Sequence, residues 1–217
     1  MSAANSIFLA SSNAGKLREF RALAEDSSIS IDLLPDFQAI PPLDESAPTI
    51  AENAAGKALH YSRGRDELVM ADDSGLVVAG LGGAPGVHSA RYAGADATNP
   101  QRIAKLLDAM RVLPEGQRQA RFVCVIALAR RGRMVMITSA DVEGEITTGP
   151  RGAGGFGYDS IFLALELGQT FAELTPEEKN RLSHRGRAFR KLPAFLNYPN
   201  TALILWPERF AFFGIES

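Results

Sequence analysis

One cysteine, Cys124, stands in 217 residues, so no internal disulfide is available. Its setting in the run 122–129, Phe-Val-Cys-Val-Ile-Ala-Leu-Ala, is that of a small buried hydrophobe. A reducing, cytoplasmic compartment is the expectation. That run is also the longest apolar stretch and falls well short of the ~18 residues that cross a bilayer. No basic leader precedes an apolar segment at the N-terminus, so neither membrane insertion nor secretion is expected. Net charge is nearly absent: 23 Lys and Arg against 25 Asp and Glu leave −2. This balance excludes a protein that works by nonspecific attraction to nucleic acid. Three histidines and no paired Cys or His spacing give no zinc set. Repeats and low-complexity tracts are missing as well.

Core material is abundant, with 46% hydrophobic residues in a length worth about one and a half ordinary domains. Ser6 to Ser11 reads as a buried first strand, and Leu17, Phe20 and Leu23 make an apolar stripe on a helix from Lys16 to Glu25 that Asn13 can cap. Ile29 to Leu34 is a second strand, followed by an acidic, Pro-rich connection from Pro35 to Pro48. Thr49 and Glu52 have capping-box spacing at the head of an Ala-rich helix to about Arg63. Leu68 to Ala71 is a strand ending at Asp72-Asp73-Ser74-Gly75. Gly80 to Gly86 is a tight loop, and Asn99-Pro100 opens a helix to Met110. Arg121 to Ala129 and Met134 to Ser139 pair as a hairpin. Thr175-Pro-Glu-Glu178 is a second capping box, and Ser183 caps a last helix through Leu196. Strands and helices alternate, so the class is α/β with a mixed sheet.

Four places can carry chemistry. Ser11-Ser-Asn-Ala-Gly-Lys16 sits where a strand turns into a helix, whose free N–H groups attract anions; an ordinary capped turn has the same look. Asp72 and Asp73 are adjacent carboxylates that repel unless compensated. A divalent cation with Glu45 from the Pro-rich loop would compensate them, and so would exposure in an Asp-Asp turn. Lys179 to Lys191 holds six bases and no acid. His184, Arg185 and Arg187 would open the last helix, where cations oppose the dipole unless an anion binds, and a solvated face is the other reading. Gly154-Gly-Phe-Gly-Tyr-Asp159 suits a nucleobase stacked on a ring, or a turn whose aromatics plug the core.

Together and in this order, these motifs, with Ala71 to Leu76, Gly82 to Tyr92 (Gly-Gly-Ala-Pro-Gly-Val-His-Ser-Ala-Arg-Tyr) and Leu182-Ser-His-Arg-Gly186, resemble the inosine triphosphate pyrophosphatase family from Ile7 to Leu196. The resemblance implies an α/β fold with an elongated mixed β-sheet flanked by helices. It also implies two lobes with a nucleotide cleft between them, residues 1–196 forming this single domain. A homodimer, a Mg²⁺ requirement and a small nucleotide substrate follow, with neither nucleic acid nor membrane as partner. The implied reaction takes ITP, dITP or XTP with water to the monophosphate and pyrophosphate, clearing deaminated purines from the nucleotide pool. By motif position, Ser11, Ser12, Asn13, Ala14, Gly15 and Lys16 would hold the triphosphate and Glu45 and Asp73 the metal. Asp73 would also accept the proton. Ser74, Phe156, Gly157, Tyr158, Asp159, Lys179, His184 and Arg185 would touch the substrate.

Two alternatives accompany this expectation. The septum-inhibitor type of nucleotide pyrophosphatase performs the same reaction on modified pyrimidines and would carry arginine in place of Lys16. A non-catalytic nucleotide-binding regulatory module is the other. Ser160 departs from the proline common after Gly-Tyr-Asp in the family. Residues 197–217, with Trp206, Phe210, Phe212 and Phe213, form an apolar extension beyond the family pattern, able to add a strand, cover a groove or alter a dimer interface.

Overall fold

The computed structural model describes residues 5–25, 27–114 and 116–196. The apolar extension at 197–217 lies outside the described residues. The chain runs β1 (Asn5–Leu9), α1 (Ala14–Ala24), β2 (Ile29–Leu33), α2 (Ile50–Tyr61), β3 (Leu68–Val78), α3 (Asn99–Ala109), β4 (Gln119–Arg130), β5 (Arg133–Ile146), β6 (Phe162–Ala164), β7 (Gln169–Thr170), α4 (Pro176–Leu182), α5 (His184–Phe189) and α6 (Leu192–Leu196). The strands form a seven-stranded sheet in the order β2-β1-β3-β4-β5-β6-β7. β1 runs parallel to β2 and β3, whereas β6 is antiparallel to β5 and β7. The expected mixed α/β sheet with helices is therefore present.

Two compact units divide the chain. One takes in the residues up to Asp73, Cys124–Ala140 and those from Arg185; the other takes in Ser74–Val123 and Asp141–His184. The first has its own core of Ile7, Leu9, Phe20, Met70, Ile126, Leu128 and Phe189 among others, with Cys124 fully buried in it. The second is built on Leu76, Leu106, Phe122, Ile161, Phe162 and Phe171. Every residue of the run 122–129 is buried. A strand with both faces covered needs no polar alternation, which is why its sequence shows none.

Local chemistry sets the boundaries. Asn13 caps α1 through its side chain, and Thr49 caps α2 by accepting from the Glu52 N–H. Full capping boxes start α3 at Thr98 with Gln101 and α4 at Thr175 with Glu178. β4 and β5 are joined by Arg131 and Gly132, both at positive φ, the backbone of a two-residue hairpin turn.

Two expectations are corrected. β3 does not end at Ala71: it continues through the two aspartates to Val78, because each carboxylate meets a cation. The last helix does not run unbroken to Leu196. Ser183 is extended between α4 and α5, and α6 begins afresh at Leu192. Pro193 has no N–H to give to a preceding turn and disfavours helical backbone at the residue before it, so it can open a helix but not continue one.

Candidate active site

Within the first unit, β1 leads into the exposed stretch Ser12–Ala14. Asn13 Oδ1 accepts from the backbone N–H of Gly15 at 2.8 Å and of Lys16 at 3.2 Å, and Ser11 Oγ accepts from the Asn13 N–H at 3.1 Å. The loop thus satisfies its own helix-start N–H groups with oxygen acceptors. Phosphate oxygens are acceptors of the same kind. Lys16 reaches across to β3, its Nζ 2.9 Å from Asp72 Oδ2 and 3.4 Å from the Asp72 carbonyl.

Asp72 is buried and accepts a second cation, Arg185, whose Nη2 lies 3.6 Å from Oδ2. Burial alone would raise the Asp72 pKa; Lys16, Arg185 and Lys57 outweigh it and hold the carboxyl down at about 2. Arg185 also donates to Glu19 of α1 and lies over the Phe20 ring, 5.7 Å from guanidinium carbon to ring centroid. Its burial works against the charge, but Glu19 and Asp72 prevail and raise its pKa above the usual value. Asp72 is thereby committed to holding Lys16 and Arg185.

Asp73, next along β3, faces other company. Lys57 of α2 places its Nζ 3.0 Å from Asp73 Oδ1 and 3.1 Å from Glu45 Oε2. Burial is the chief reason the Asp73 pKa is raised; Lys57 and Lys16 pull it down and Asp72 pushes it up. Burial would lower the Lys57 pKa, yet Asp73, Glu45 and Asp72 together raise it. Two carboxylates from distant parts of the chain therefore converge on one positive charge. The donor set is oxygen only, which suits a hard divalent cation, and Mg²⁺ is commonly held by one or two carboxylates completed by substrate phosphates. Among the described residues there is no group of three or more His, Cys, Asp or Glu, so water or phosphate oxygens would complete the shell around the two carboxylates.

In the second unit a buried carboxylate organises the glycine-rich turn. Asp159 Oδ2 accepts from the Phe156 N–H at 2.7 Å and from Lys179 Nζ at 2.6 Å. Lys179, on α4, also lies 4.9 Å from the centre of the Phe156 ring. Gly155 is at φ +69°, and a Cβ there would collide with the Asp159 carboxylate. The two aromatics differ in their surroundings. Tyr158 is buried in the core, its hydroxyl donating to the Ser89 carbonyl at 2.9 Å, with its pKa raised chiefly by burial. Phe156 is only partly buried. His184 is buried and stacks on Phe122 at 4.7 Å with the rings 10° apart.

Sequence reasoning missed two residues. Lys57 sits between Asn53 and Ala54 on one side and Ala58 on the other, all on the buried side of α2, and a lysine on that small-residue face was the available signal. Glu19 follows Lys16 by one helical turn and answers Arg185, which is 166 residues away; no local pattern shows that pairing. Of the six bases between Lys179 and Lys191, Lys179 and Arg185 are buried on remote acids, whereas Arg181, Arg190 and Lys191 are exposed.

A sequence profile described as the Ham1 family matches residues 7–195. The chain is 50% identical over 186 residues to the dITP/XTP pyrophosphatase of Geobacillus kaustophilus (strain HTA426), covering 86% of this chain and 91% of that one. Its identity to the dITP/XTP pyrophosphatase of Escherichia coli (strain K12) is 44% over 188 residues, covering 86% and 95%. Among solved structures it is similar to a HAM1 protein from Coxiella burnetii, with TM-score 0.78 and 42% identity over 88% of this chain and 98% of that one. A nucleoside-triphosphatase / dITP/XTP pyrophosphatase from Mycobacterium abscessus matches with TM-score 0.62 and 36% identity over 88% and 96%.

Proposed function

The chain belongs to the Ham1 family, and on that footing we propose that it hydrolyses dITP, XTP and ITP to the nucleoside monophosphate and pyrophosphate, with Mg²⁺, as a cytoplasmic homodimer. The observation that carries the reading is the Lys57 ammonium held by Glu45 and Asp73, beside a strand–helix loop whose Lys16 is braced on Asp72. Among the described residues no helix is long and apolar enough to cross a membrane.

Ser11, Ser12, Asn13, Ala14 and Gly15 supply hydroxyl, amide and backbone donors to the phosphate chain, and Lys16 adds a positive charge. Glu45 and Asp73 hold the metal. When bound, Mg²⁺ neutralises charge on the phosphate oxygens and on the departing pyrophosphate. Asp73 accepts the proton of the attacking water; the bond to the α-phosphorus forms as the bridge to the β-phosphate breaks. Its raised pKa suits a proton acceptor. Asp72, kept ionised, braces Lys16.

Ser74, Phe156, Gly157, Lys179, His184 and Arg185 contact the nucleotide, with Tyr158 and Asp159 fixing the turn from behind. Phe156 offers a ring face to the purine. The 6-keto oxygen of hypoxanthine or xanthine accepts hydrogen bonds, so N–H donors around His184 and Arg185 satisfy it, whereas the 6-amino group of adenine sets donor against donor. A site built for one hydrogen-bonding pattern can reject its mismatch by ~10⁴–10⁵. Product analysis tests the reaction class. dITP and XTP should yield monophosphate and pyrophosphate with Mg²⁺ and almost nothing with chelator. Diphosphate and inorganic phosphate as products, or full turnover in chelator, would refute it.

A further inference from the structure

Residues 35–48, between β2 and α2, contain no residue that is buried. A segment that adds nothing to a core gains little from burial, yet it is fastened to α2 along its length. The Phe37 and Tyr61 rings meet at 4.8 Å, and His60 Nε2–H donates to the Pro41 carbonyl at 2.8 Å. Leu43 packs on Gly56, where an added Cβ would stand 3.3 Å from its Cδ2. Lys57 bonds Glu45 at 3.1 Å, and Asn53 Nδ2 donates to the Ala47 carbonyl at 3.3 Å.

The helix partners, 53, 56, 57, 60 and 61, fall at i, i+3, i+4, i+7 and i+8, which is one stripe of an α-helix. On the other side, Leu43, Glu45 and Ala47 are half-buried, whereas Asp44, Ser46 and Pro48 are exposed. This period of two marks an extended strap with one edge on the helix. Pro41, Pro42 and Pro48 stiffen the strap by fixing φ.

We propose that this stripe of α2 is a track that sets Glu45 in place before a metal arrives, making Gly56 and His60 positioning residues for the metal site. The inference rests on the reading of Glu45 as a metal ligand. Lys57 draws the carboxylate in, and the flanking contacts at His60 and Gly56 fix the register of the strap on either side of that ion pair. Gly56 keeps the helix surface low enough for Leu43 to sit down, and His60 pins the backbone four residues before Glu45.

The test is Mn²⁺ binding without nucleotide, free ion being counted by its paramagnetic resonance signal, alongside turnover at saturating Mg²⁺. The proteins are the full chain, Glu45→Gln, His60→Ala, His60→Gln and Gly56→Val. His60→Ala and Gly56→Val should each weaken Mn²⁺ binding roughly two- to tenfold, the range one net hydrogen bond converts to, with turnover at saturating metal near the parent's. His60→Gln, which keeps a donor for Pro41, should bind Mn²⁺ as the parent does. Valine forms helix better than glycine, so weaker binding in Gly56→Val does not reflect a failing helix. Parental Mn²⁺ binding in both His60→Ala and Gly56→Val, with Glu45→Gln impaired, overturns the track alone. Parental binding in Glu45→Gln overturns the reading of Glu45 and the track with it.

Discussion

Asp72 and Asp73 are neighbours in β3 and hold different cations: Asp72 takes Lys16 at 2.9 Å, Asp73 takes Lys57 at 3.0 Å. Adjacent residues of a strand point to opposite faces, so one strand separates a buried brace from a carboxylate that faces Glu45 across a shared cation. This arrangement lets two like charges sit side by side, and it assigns them different work.

Replacing Asp72 should affect stability first. Asp72→Asn leaves the buried Arg185 and the half-buried Lys16 each short of a partner, and breaking a buried pair typically costs about 3–5 kcal/mol. The pH signature is specific. The Asp72 pKa lies at about 2 against an ordinary 3.8, so its contribution of roughly 2 kcal/mol is complete above the ordinary value and is lost as pH falls through about 2. Acid unfolding of the parent should show this loss, and Asp72→Asn should lack it.

Removal of Lys57 should make the fold lean on metal. In Lys57→Met, Glu45 and Asp73 lose the cation they share, so the melting temperature in chelator should drop by several degrees, roughly 2–4 °C for each kcal/mol lost at this size. Mg²⁺ should then raise the melting temperature of Lys57→Met by more than it raises the parent's. Equal Mg²⁺ shifts in the two proteins would contradict the shared-cation account.

Gly155→Ala tests the turn around Asp159. The new methyl needs a left-handed backbone and meets the Asp159 carboxylate, so either the turn opens or Asp159 withdraws from Lys179. A stability loss of about 1–3 kcal/mol is expected. A displaced Lys179 should also lower kcat/KM, by up to about 10²-fold if the shift approaches 1 Å. Melting curves and steady-state kinetics on XTP read the two effects separately.

Asp73→Asn should lower kcat by about 10²–10⁴ at saturating Mg²⁺ if Asp73 accepts the proton. A defect that extra Mg²⁺ fully repairs would leave Asp73 as a metal ligand only. Single-turnover kinetics across a Mg²⁺ series separates these outcomes.

Much of the architecture was legible because it is written locally. Asn13, Thr49 and the capping boxes mark helix starts, and the unbroken apolar run 122–129 marks a central strand. Errors arose where remote partners decide the outcome. Asp72-Asp73 reads equally as an exposed turn or as a cation site, because the sequence shows two adjacent acids and does not show Lys16 and Lys57 arriving at them. The block from Lys179 to Lys191 reads as a field of positive charge, yet Asp159 and Glu19, far off in the chain, take up its two buried members. Lys57 carried a faint signal on the small-residue face of α2, and Glu19 carried none, since a pairing across 166 residues leaves no spacing to read.

The most direct test of the central claim is kcat/KM for pyrophosphate release from XTP and dITP against ATP and dGTP, measured with saturating Mg²⁺. The account predicts that XTP and dITP exceed ATP by at least about 10²-fold, within what a buried hydrogen-bond mismatch can enforce. Equal kcat/KM for ATP and dITP would contradict it.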